Sequence, residues 1–337
     1  MNNGKRFEDN FRKSIPDNMF YYRFRERGIE EMRVKLFTHT DLDGIGCAVL
    51  GKLAFKNIDI SYVDYNNVND IVLEFINNKE YDNYDHVYIT DISINEDVSE
   101  IIHNTNPLNE MFTILDHHPT AEWLNKYWWA KVNVIENELQ EKTSGTYMFY
   151  KELVALGFLE KSESIRIFTD TVRKYDTWLW KEKYNDDFPK KLNDLFYILG
   201  RERFLINIEN KIKNDGVLLN SDDLLLLELE QEKIDKYIES KNKNLLKRQI
   251  NGYLAGVVFA EQFHSELGNR LCELNPDIDF VVIVNIDKSV SYRGIKNDID
   301  LGKDVAKFYG GGGHPKASGS PINDEIRSQL LDLIFSR

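Results

Sequence analysis

Cysteine is nearly absent from this 337-residue sequence, in which only Cys47 and Cys272 occur. Two isolated cysteines exclude a disulfide framework and favour a reducing compartment, so we expect a cytoplasmic protein. No apolar run reaches the length needed to cross a bilayer, and the polar opening "MNNGKRFEDN" does not resemble a signal peptide. We therefore expect a protein that works without a membrane.

An excess of positive charge is also missing. The 43 Lys and Arg residues are outnumbered by 56 Asp and Glu residues, which gives a net charge of −13. Because long nucleic acids are bound by basic surfaces, this balance argues against a protein that coats such polymers. It leaves room for a small basic site, and for a carboxylate-rich metal site that supplies part of the negative charge.

Strand and helix patterns alternate from Val34 onward. The segments "VKLFTHTDLDG", "IDISYVDY", "HVYITDIS" and "MFTILDHHP" predict four β-strands, with helical segments between them. Such alternation predicts an α/β fold with a mostly parallel sheet, and ligands of such sheets gather beyond the carboxyl ends of the strands. Three of the four predicted strands end in Asp or His.

The sequence as a whole predicts a division into four parts. Residues 1–33 mix basic and aromatic side chains without clear periodicity and predict an N-terminal arm. Residues 34–180 predict the first α/β domain. Residues 181–250 predict a charge-rich helical connector, including the stretch "DDLLLLELEQEKIDKYIESKNKNLLKR". Strand patterns return in residues 251–337, which predict a smaller α/β domain.

Acidic and imidazole side chains at three strand ends form a candidate metal site. In chain order they are His39, Asp41, Asp43, Asp91, Asp116, His117 and His118. So many carboxylates at one sheet edge need a counter-charge. Oxygen and imidazole ligands favour Mn²⁺ or Mg²⁺ over Zn²⁺, and two such ions about 4 Å apart suit hydrolysis at phosphorus.

Each of these residues has a simpler explanation when it is taken alone. An Asp after a strand usually caps a helix or a turn, and Asp43 before Gly44 suits a turn. One His of the adjacent pair could be a hydrogen-bonded core residue. Several such coincidences at one sheet edge are required together, so the metal site is favoured.

The strings "HTDLDG", "YITDIS" and "LDHHP" resemble, in order and spacing, the first three motifs of the DHH phosphoesterase superfamily. The later "SYRG" and "GGGGHPKASG" resemble the DHH-associated substrate-binding domain of RecJ-like exonucleases and of the nanoRNases that degrade short oligonucleotides. The resemblance touches both ends of the chain. It implies a two-domain phosphoesterase with two Mn²⁺ ions, for which Mg²⁺ is the alternative.

The resemblance also implies a role for each motif residue. Asp91 would bridge the two ions, His117 would bind metal at the reacting centre, and His118 would contact the scissile phosphate or give a proton to the leaving group. The fourth motif supplies one more Asp, for which "FTDTVRKYDTW" offers the preferred Asp176 and the reserve Asp170. The implied metal ligands are His39, Asp41, Asp43, Asp91, Asp116, His117 and Asp176.

Two of these assignments carry alternatives. Many relatives place the His of the first motif two residues further from the Asp pair, as H-x-x-x-D-x-D, which bears on His39. Asp116 either binds metal or orients His117 from behind. Cys47, in the helix after the first motif, is interpreted as a packing residue.

The second domain carries the residues implied to bind substrate. Consecutive glycines from Gly310 leave backbone N–H groups available for phosphate, and Arg293 and Lys316 add positive charge. Tyr292 either stacks on a base or belongs to the core. The implied substrate-binding residues are Asn269, Arg293, Gly311, Gly312, Gly313 and His314.

We therefore predict a metal-dependent phosphodiesterase that hydrolyses short RNA or other oligonucleotides and releases mononucleotides. The alternative enzymes are a cyclic-dinucleotide or nucleoside-bisphosphate phosphoesterase and a RecJ-like exonuclease on single-stranded DNA. Outside the enzymes, the alternative is a nucleotide-sensing protein with a degenerate site. The oligomeric state stays open, with a homodimer as one option.

Overall fold

The computed structural model describes residues 31–105 and 108–336. Of the predicted N-terminal arm, residues 1–30 lie outside the described part. The chain divides into two compact units between Leu227 and Glu228, inside the segment predicted as a helical connector. Within the described ranges, no helix is both long and apolar enough to cross a bilayer.

A five-stranded parallel sheet forms the centre of the first unit, in the order β2-β1-β3-β4-β5. Its strands are β1 (Arg33–Thr38), β2 (Asn57–Tyr62), β3 (His86–Thr90), β4 (Phe112–Asp116) and β5 (Ala130–Val132). The first four are the four strands that the sequence predicts, so that prediction is confirmed. β5 and the short hairpin of β6 (Ile135–Glu136) and β7 (Glu141–Lys142) were not predicted.

Helices cover both faces of this sheet. The helices of the first unit are α1 (Leu42–Ala54), α2 (Val68–Asn77), α3 (Glu96–Asn104), α4 (Leu108–Met111), α5 (Gly145–Ala155), α6 (Glu163–Asp176), α7 (Phe188–Leu199) and α8 (Arg201–Lys213). Short 3-10 helices span Glu80–Asn83 and Pro119–Lys126, and a π-helical turn spans Trp180–Tyr184.

Successive residues of the central strands enter two different cores. Leu36 packs with α1 and α5 to α8, whereas Phe37 packs with α2, α3 and α4. Tyr88 and Ile89 of β3 divide in the same way. Because a parallel sheet is buried on both faces, its strands are continuously apolar rather than alternating. The predicted α/β class with a parallel first sheet is confirmed.

The second unit contains a six-stranded mixed sheet in the order β12-β13-β11-β10-β9-β8. Its strands are β8 (Leu246–Ile250), β9 (Tyr253–Phe259), β10 (Phe280–Asn285), β11 (Ser289–Arg293), β12 (Gly312–His314) and β13 (Ala317–Pro321). The helices of the remaining chain are α9 (Ser221–Lys243), which contains the division between the units, α10 (His264–Leu274) and α11 (Asp324–Phe335). A π-helical turn spans Leu301–Val305 and a 3-10 helix spans Ala306–Tyr309.

The predicted helical stretch that runs to Arg248 is wrong at its end. Helix α9 stops at Lys243, and β8 pairs with β9 in an antiparallel hairpin. The turn of this hairpin is Asn251-Gly252, whose φ angles are 50° and 87°. Asn-Gly with two positive φ angles is the preferred two-residue hairpin turn. Pairing with β9 therefore outweighs the helix propensity of Leu, Lys and Arg.

Candidate metal centre

The candidate site lies where β1, β3 and β4 end side by side. Thr38 and Thr90, the last residues of β1 and β3, are paired in register, and the Thr90 hydroxyl donates to Thr38 Oγ1 at 3.0 Å. The order in which strands are added to the sheet also switches sides between β1 and β3. Doubly wound folds bind ligands at such a switch point. The chain segments that follow these strands therefore begin next to each other.

Asp41 and His39 occupy the turn between β1 and α1. Asp41 caps α1, because its Oδ1 accepts hydrogen bonds from the backbone N–H groups of Asp43 and Gly44, both at 3.1 Å. The other oxygen, Oδ2, lies 3.0 Å from His39 Nδ1. A Cβ on Gly44 would stand 2.1 Å from the His39 carbonyl oxygen, so this tight turn requires glycine. The helix-cap role considered for Asp41 thus coexists with a place in the cluster.

Asp43 is held by the beginning of a second helix. Its carboxylate accepts from the backbone N–H of Gly145 at 2.6 Å and of Thr146 at 2.9 Å, the first two residues of α5. The Thr146 hydroxyl donates to the Asp43 carbonyl oxygen at 2.6 Å. Free N–H groups at a helix N-terminus favour a negative charge, so Asp43 is fixed as a buried carboxylate.

Asp91 lies in the middle of the cluster and is almost completely buried. Its φ of 59° is left-handed, which is uncommon for a residue with a side chain and turns the chain sharply after β3. Its Oδ1 is 3.1 Å from His117 Nε2, and its Oδ2 has no hydrogen-bond partner within the described residues. Burial, together with the nearby Asp43 and Asp41 carboxylates, raises the pKa of Asp91 well above its usual range. This oxygen is an unmet acceptor that a cation would satisfy.

His117 connects the carboxylates. Its Nε2 lies 3.1 Å from Asp91, 3.5 Å from Asp176 and 3.6 Å from Asp43. Burial lowers the pKa of His117, which favours the neutral imidazole that metals bind. Burial and the Asp43 and Asp41 carboxylates raise the pKa of Asp176 to about 8.

Asp116 orients the second imidazole of the pair. His118 Nδ1 donates to Asp116 Oδ1 at 2.7 Å, while Ser93 Oγ donates to Asp116 Oδ2 at 2.5 Å. On the far side of the ring, His118 Nε2 is 3.1 Å from the hydroxyl of Tyr65. Burial opposes ionisation of Asp116, but the hydrogen bonds from His118 and Ser93 and the charges of the two imidazoles together outweigh it and lower the pKa of Asp116. The hydrogen bond to Asp116 raises the pKa of His118.

Three groups of side chains within the described residues bring their ligand atoms within 4.8 Å of one another. The groups are His39, Asp41 and Asp91; Asp43, His117 and Asp176; and Asp91, Asp116, His117 and His118. Together they include all seven residues predicted at the strand ends, and Asp176 as well. Neither cysteine belongs to them, and Cys47 is buried beside Thr146 with its pKa raised by burial. A donor set of carboxylates and imidazoles fits a hard divalent cation.

Asp170, the reserve for the fourth motif, lies in a different network. It accepts from Arg173 at 2.6 Å and from Lys174 at 2.7 Å, and it is in none of the three groups. Arg173 is buried and also donates to Glu141 at 2.8 Å. This network attaches helix α6, which carries Asp176 at its end, to the hairpin of β6 and β7.

The residues expected to bind substrate lie in the second unit. Arg293 is half-buried, and its Nη1 donates to the carbonyl oxygens of Tyr292 at 3.0 Å and Ser318 at 3.5 Å. A Cβ on Gly268 would stand 2.4 Å from Arg293 Cγ, so this glycine makes room for the arginine stem. Tyr292 is buried and its hydroxyl is 2.8 Å from Ser320 Oγ, which agrees with the core alternative for this tyrosine.

The glycine run has a packing reason of its own. A Cβ on Gly311 would stand 2.0 Å from the Gly319 carbonyl oxygen, and one on Gly313 would stand 2.7 Å from Ser318 Cα. The run therefore approaches strand β13 closely, and its second half is strand β12 rather than an open loop. His314 and Asn269 are exposed. Their binding of substrate stays a prediction.

Several residues of the site were not predicted. Gly145 and Thr146 hold Asp43, Ser93 holds Asp116, and Tyr65 contacts His118. The string "TSGT" before an apolar helix is a recognisable helix start, with Ser144 as the cap. Its contact with Asp43, about a hundred residues earlier, depends on how the helices pack, so no local sequence pattern predicts it.

Comparison with known proteins shows the family of this chain. No model of a known protein family matches the chain. The oligoribonuclease NrnB of Bacillus subtilis (strain 168) is 38% identical over 295 residues, which cover 86% of this chain and 73% of that protein. This likeness decides the family. The chain belongs to the DHH superfamily of phosphoesterases, with NrnB as a relative.

Two further likenesses extend over most of the chain. A 3',5'-cyclic-nucleotide phosphodiesterase of Helicobacter pylori (strain ATCC 700392 / 26695) is 23% identical over 343 residues, which cover 87% of this chain and 93% of that one. The structure of an exonuclease RecJ bound to manganese has a TM-score of 0.51 at 14% identity and covers 95% of this chain and 93% of its own. The RecJ likeness shows the DHH fold, and the predicted superfamily and fold class are confirmed.

Proposed function

We propose that this DHH protein is a metal-dependent phosphodiesterase that hydrolyses short oligonucleotides. The observation that carries the proposal is the partly buried cluster around the buried Asp91, in which four more carboxylates and three imidazoles converge at one sheet edge. Protein interiors do not keep such a cluster of acids without a counter-charge. The name of the 38% identical relative, oligoribonuclease NrnB, supports short RNA as the substrate.

The three groups of ligand atoms suggest how metal is held. Asp91 and His117 each belong to two of the groups, which supports the bridging role proposed for Asp91. His39 and Asp41 complete one binding position, and Asp43 and Asp176 complete the other. A divalent ion bound there lowers the pKa of water and neutralises the oxygens of a phosphodiester.

We assign Asp116 and His118 to proton transfer. Asp116 binds His118 through Nδ1 and is itself fixed by Ser93, so the imidazole is directed with Nε2 toward the Tyr65 hydroxyl. A raised pKa keeps His118 protonated closer to neutral pH, which is the form that gives a proton to a leaving oxygen. His117, with its lowered pKa, suits metal binding instead.

Manganese is the metal we propose, with magnesium as the alternative. Carboxylate oxygens dominate the donor set, imidazoles complete it, and thiolates are absent from the sets of described residues, which disfavours a structural zinc site. The RecJ structure that shares this fold was solved with manganese.

A cyclic nucleotide is the second candidate substrate. The Helicobacter relative is named a 3',5'-cyclic-nucleotide phosphodiesterase and matches 87% of this chain. The chemistry is the same, because water displaces one ester oxygen from a phosphodiester. We propose it second because the identity to that relative is 23%, against 38% to NrnB. The release of mononucleotides, the cytoplasmic location and the homodimer stay predictions.

One assay tests the function. Purified protein with Mn²⁺ is incubated with end-labelled RNA and DNA of about two to twenty nucleotides, with 3',5'-cyclic AMP and with cyclic dinucleotides, and the products are separated. We expect the fastest hydrolysis on RNA of two to five nucleotides. The Asp91→Asn variant, which keeps the side-chain size, is the control and should be inactive. Faster turnover of a cyclic nucleotide would contradict the oligonucleotide proposal.

A further inference from the structure

A cavity of about 590 Å³ opens beside His118 in the first unit. It lies within the usual range of small-molecule sites, about 300–1,000 Å³. Asp116 and His118 line one side, so the cavity adjoins the metal centre. The segments that follow β3 and β4 and the start of α2 supply the rest of its lining. None of the metal-ligand or substrate-binding assignments above explains this space.

Hydrogen bonds fix the cavity wall in advance of any ligand. Asn69 Oδ1 accepts from the backbone N–H of Asn95 at 2.7 Å, which connects α2 to the loop after β3. Asn95 in turn caps α3 by accepting from the backbone N–H of Val98 at 3.1 Å. Ser93, on the same loop, donates to Asp116. The wall is therefore part of the scaffold that positions the reacting groups.

Two exposed aromatic side chains line this space. Trp123 lies in the 3-10 helix that starts directly after His118, and 38% of its surface is exposed. Tyr65 is 54% exposed and contacts His118 through its hydroxyl. Exposed aromatic rings beside a catalytic centre are surfaces on which any base stacks. An aromatic residue that served only the core would be buried, as Trp129 is nearby.

The charges of the lining exclude a second phosphate as the ligand. Glu96 and Asp116 contribute negative charge. The one lysine of the lining, Lys126, is 3.0 Å from Glu96 and 3.8 Å from Glu100. His118 is likewise bonded to Asp116, so a phosphate would meet an acidic wall whose cations are already paired with carboxylates. An uncharged base and sugar would meet aromatic rings, amides and hydroxyls.

We propose that this cavity holds the nucleoside that leaves when the phosphodiester is cleaved. The inference rests on the proposed function. His118 lines both the cavity and the metal centre, so a nucleoside in the cavity has its ester oxygen beside the imidazole, whose Nε2 meets the Tyr65 hydroxyl at 3.1 Å. Water attacks phosphorus, the bond from phosphorus to that oxygen breaks with its electrons on oxygen, and that oxygen takes up one proton. The proton lost by the water goes to solvent.

The test compares two substrates that share a phosphodiester but differ in the nucleosides. The dinucleotide ApA brings a nucleoside to the cavity, and bis-p-nitrophenyl phosphate brings none. We expect Trp123→Ala to lower kcat/KM for ApA, relative to that for bis-p-nitrophenyl phosphate, by about tenfold or more, which is about 1.4 kcal/mol. Trp123→Phe should recover most of the loss, because it restores a ring.

Trp128→Ala is the matched control, because Trp128 is exposed and near in sequence but does not line the cavity. Binding of ApA in excess chelator, measured by calorimetry, gives a second readout that does not depend on turnover. Thermal denaturation shows whether each variant is folded.

The outcomes distinguish a failure of the cavity inference from a failure of the proposed function. If Trp123→Ala and Trp128→Ala both match the wild type on ApA, the cavity inference is overturned and the proposed function stands. Equal losses on the two substrates also overturn it, because Trp123 would then act on the metal centre or the fold. If the wild type cleaves bis-p-nitrophenyl phosphate but no oligonucleotide, the proposed function fails first and the inference fails with it.

Discussion

Gly145 touches the backbone of Asp91 so closely that a Cβ on it would stand 2.5 Å from Asp91 Cβ and 2.8 Å from Asp91 Cα. The same glycine donates its N–H to Asp43 at 2.6 Å. One residue without a side chain thus positions two of the carboxylates proposed to hold metal. The start of α5 is therefore as much a part of the site as the DHH motif.

Gly145→Ala should displace Asp91, because the nearest atoms are backbone and Asp91 Cβ, which cannot rotate away. We expect Mn²⁺ affinity to fall at least tenfold in calorimetric titration. Gly312→Ala is the control, since a Cβ there meets no atom within 4 Å. Unchanged Mn²⁺ binding by Gly145→Ala would show that Asp91 does not need this close contact.

Substitution of Asp176 should affect activity, whereas substitution of Asp170 should affect stability. Asp176→Ala removes a proposed metal ligand and a repelled carboxylate, so we expect loss of activity without loss of thermal stability in the metal-free protein. Asp170→Ala leaves the buried Arg173 with one partner fewer, so we expect a lower melting temperature and substantial remaining activity. Measuring kcat and the melting temperature of both variants distinguishes these two roles. An inactive, normally stable Asp170→Ala would reverse the assignment.

The metal-free protein should lose stability as pH rises. The pKa of Asp176 is about 8 in the folded protein, against 3.8 for the ordinary carboxyl, so the folded state retains a proton that the unfolded state releases. Stability therefore falls between about pH 4 and pH 8. Melting in chelator from pH 5 to pH 9 measures this fall, and Asp176→Asn should reduce its slope.

Metal should reverse that dependence. In the proposed site, Mn²⁺ would bind the ionised carboxylates and displace the proton, so its affinity should rise with pH. We expect the increase in melting temperature on adding Mn²⁺ to be larger at pH 8 than at pH 6. An equal increase at both pH values would mean that Asp176 is already ionised before metal binds.

The strand ends were predictable because the signal is local. Each of β1, β3 and β4 is a short apolar run followed at once by Asp or His, and parallel pairing brings such ends together by necessity. Asp176 is predictable only from the resemblance to the family's fourth motif. Its helix arrives from sixty residues further along, and nothing in its own periodicity says where it ends.

The unpredicted parts of the site arise from contacts distant in sequence. Ser93 and Tyr65 reach Asp116 and His118 through hydrogen bonds between loops that follow different strands. The hairpin of β8 and β9 is another case. Asn251-Gly252 is a hairpin-turn signal, but strong helix formers precede it, and only the pairing of β8 with β9 decides against the helix.

The network of Arg173 and Glu141 should act on stability rather than on chemistry. Both side chains are buried and lie 2.8 Å apart, and Lys183 and Tyr184 also donate to Glu141. Arg173→Ala leaves Glu141 short of its buried partner, which costs about 3–5 kcal/mol. Urea denaturation measures this. Glu163→Gln, which breaks the exposed pair with Arg166, is the control and should have no measurable effect.

Acid should weaken the same network. Burial opposes ionisation of Glu141, but hydrogen bonds from Lys183, Tyr184 and Arg173 outweigh it and lower its pKa to about 2. A carboxyl with a lowered folded pKa stabilises the fold above its ordinary pKa near 4.5, and that contribution disappears as pH falls toward 2. Glu141→Gln should reduce this loss of stability at low pH. If the loss is unchanged, other carboxyls cause it.

Arg293 offers the sharpest test of substrate binding by the second unit. Burial lowers its pKa, and its Nη1 donates to two carbonyl oxygens that hold the guanidinium in one orientation. A fixed guanidinium suits a phosphate, so Arg293→Ala should lower kcat/KM on a short RNA by about one to three orders of magnitude.

The loss on bis-p-nitrophenyl phosphate should be much smaller, since that ester has a single phosphate for the metal centre. Arg293→Lys keeps the charge but not the fork of donors, and should fall between. Equal losses on both substrates would place Arg293 in the fold or at the reacting phosphate, and no loss on either would leave it a residue that only packs against Gly268.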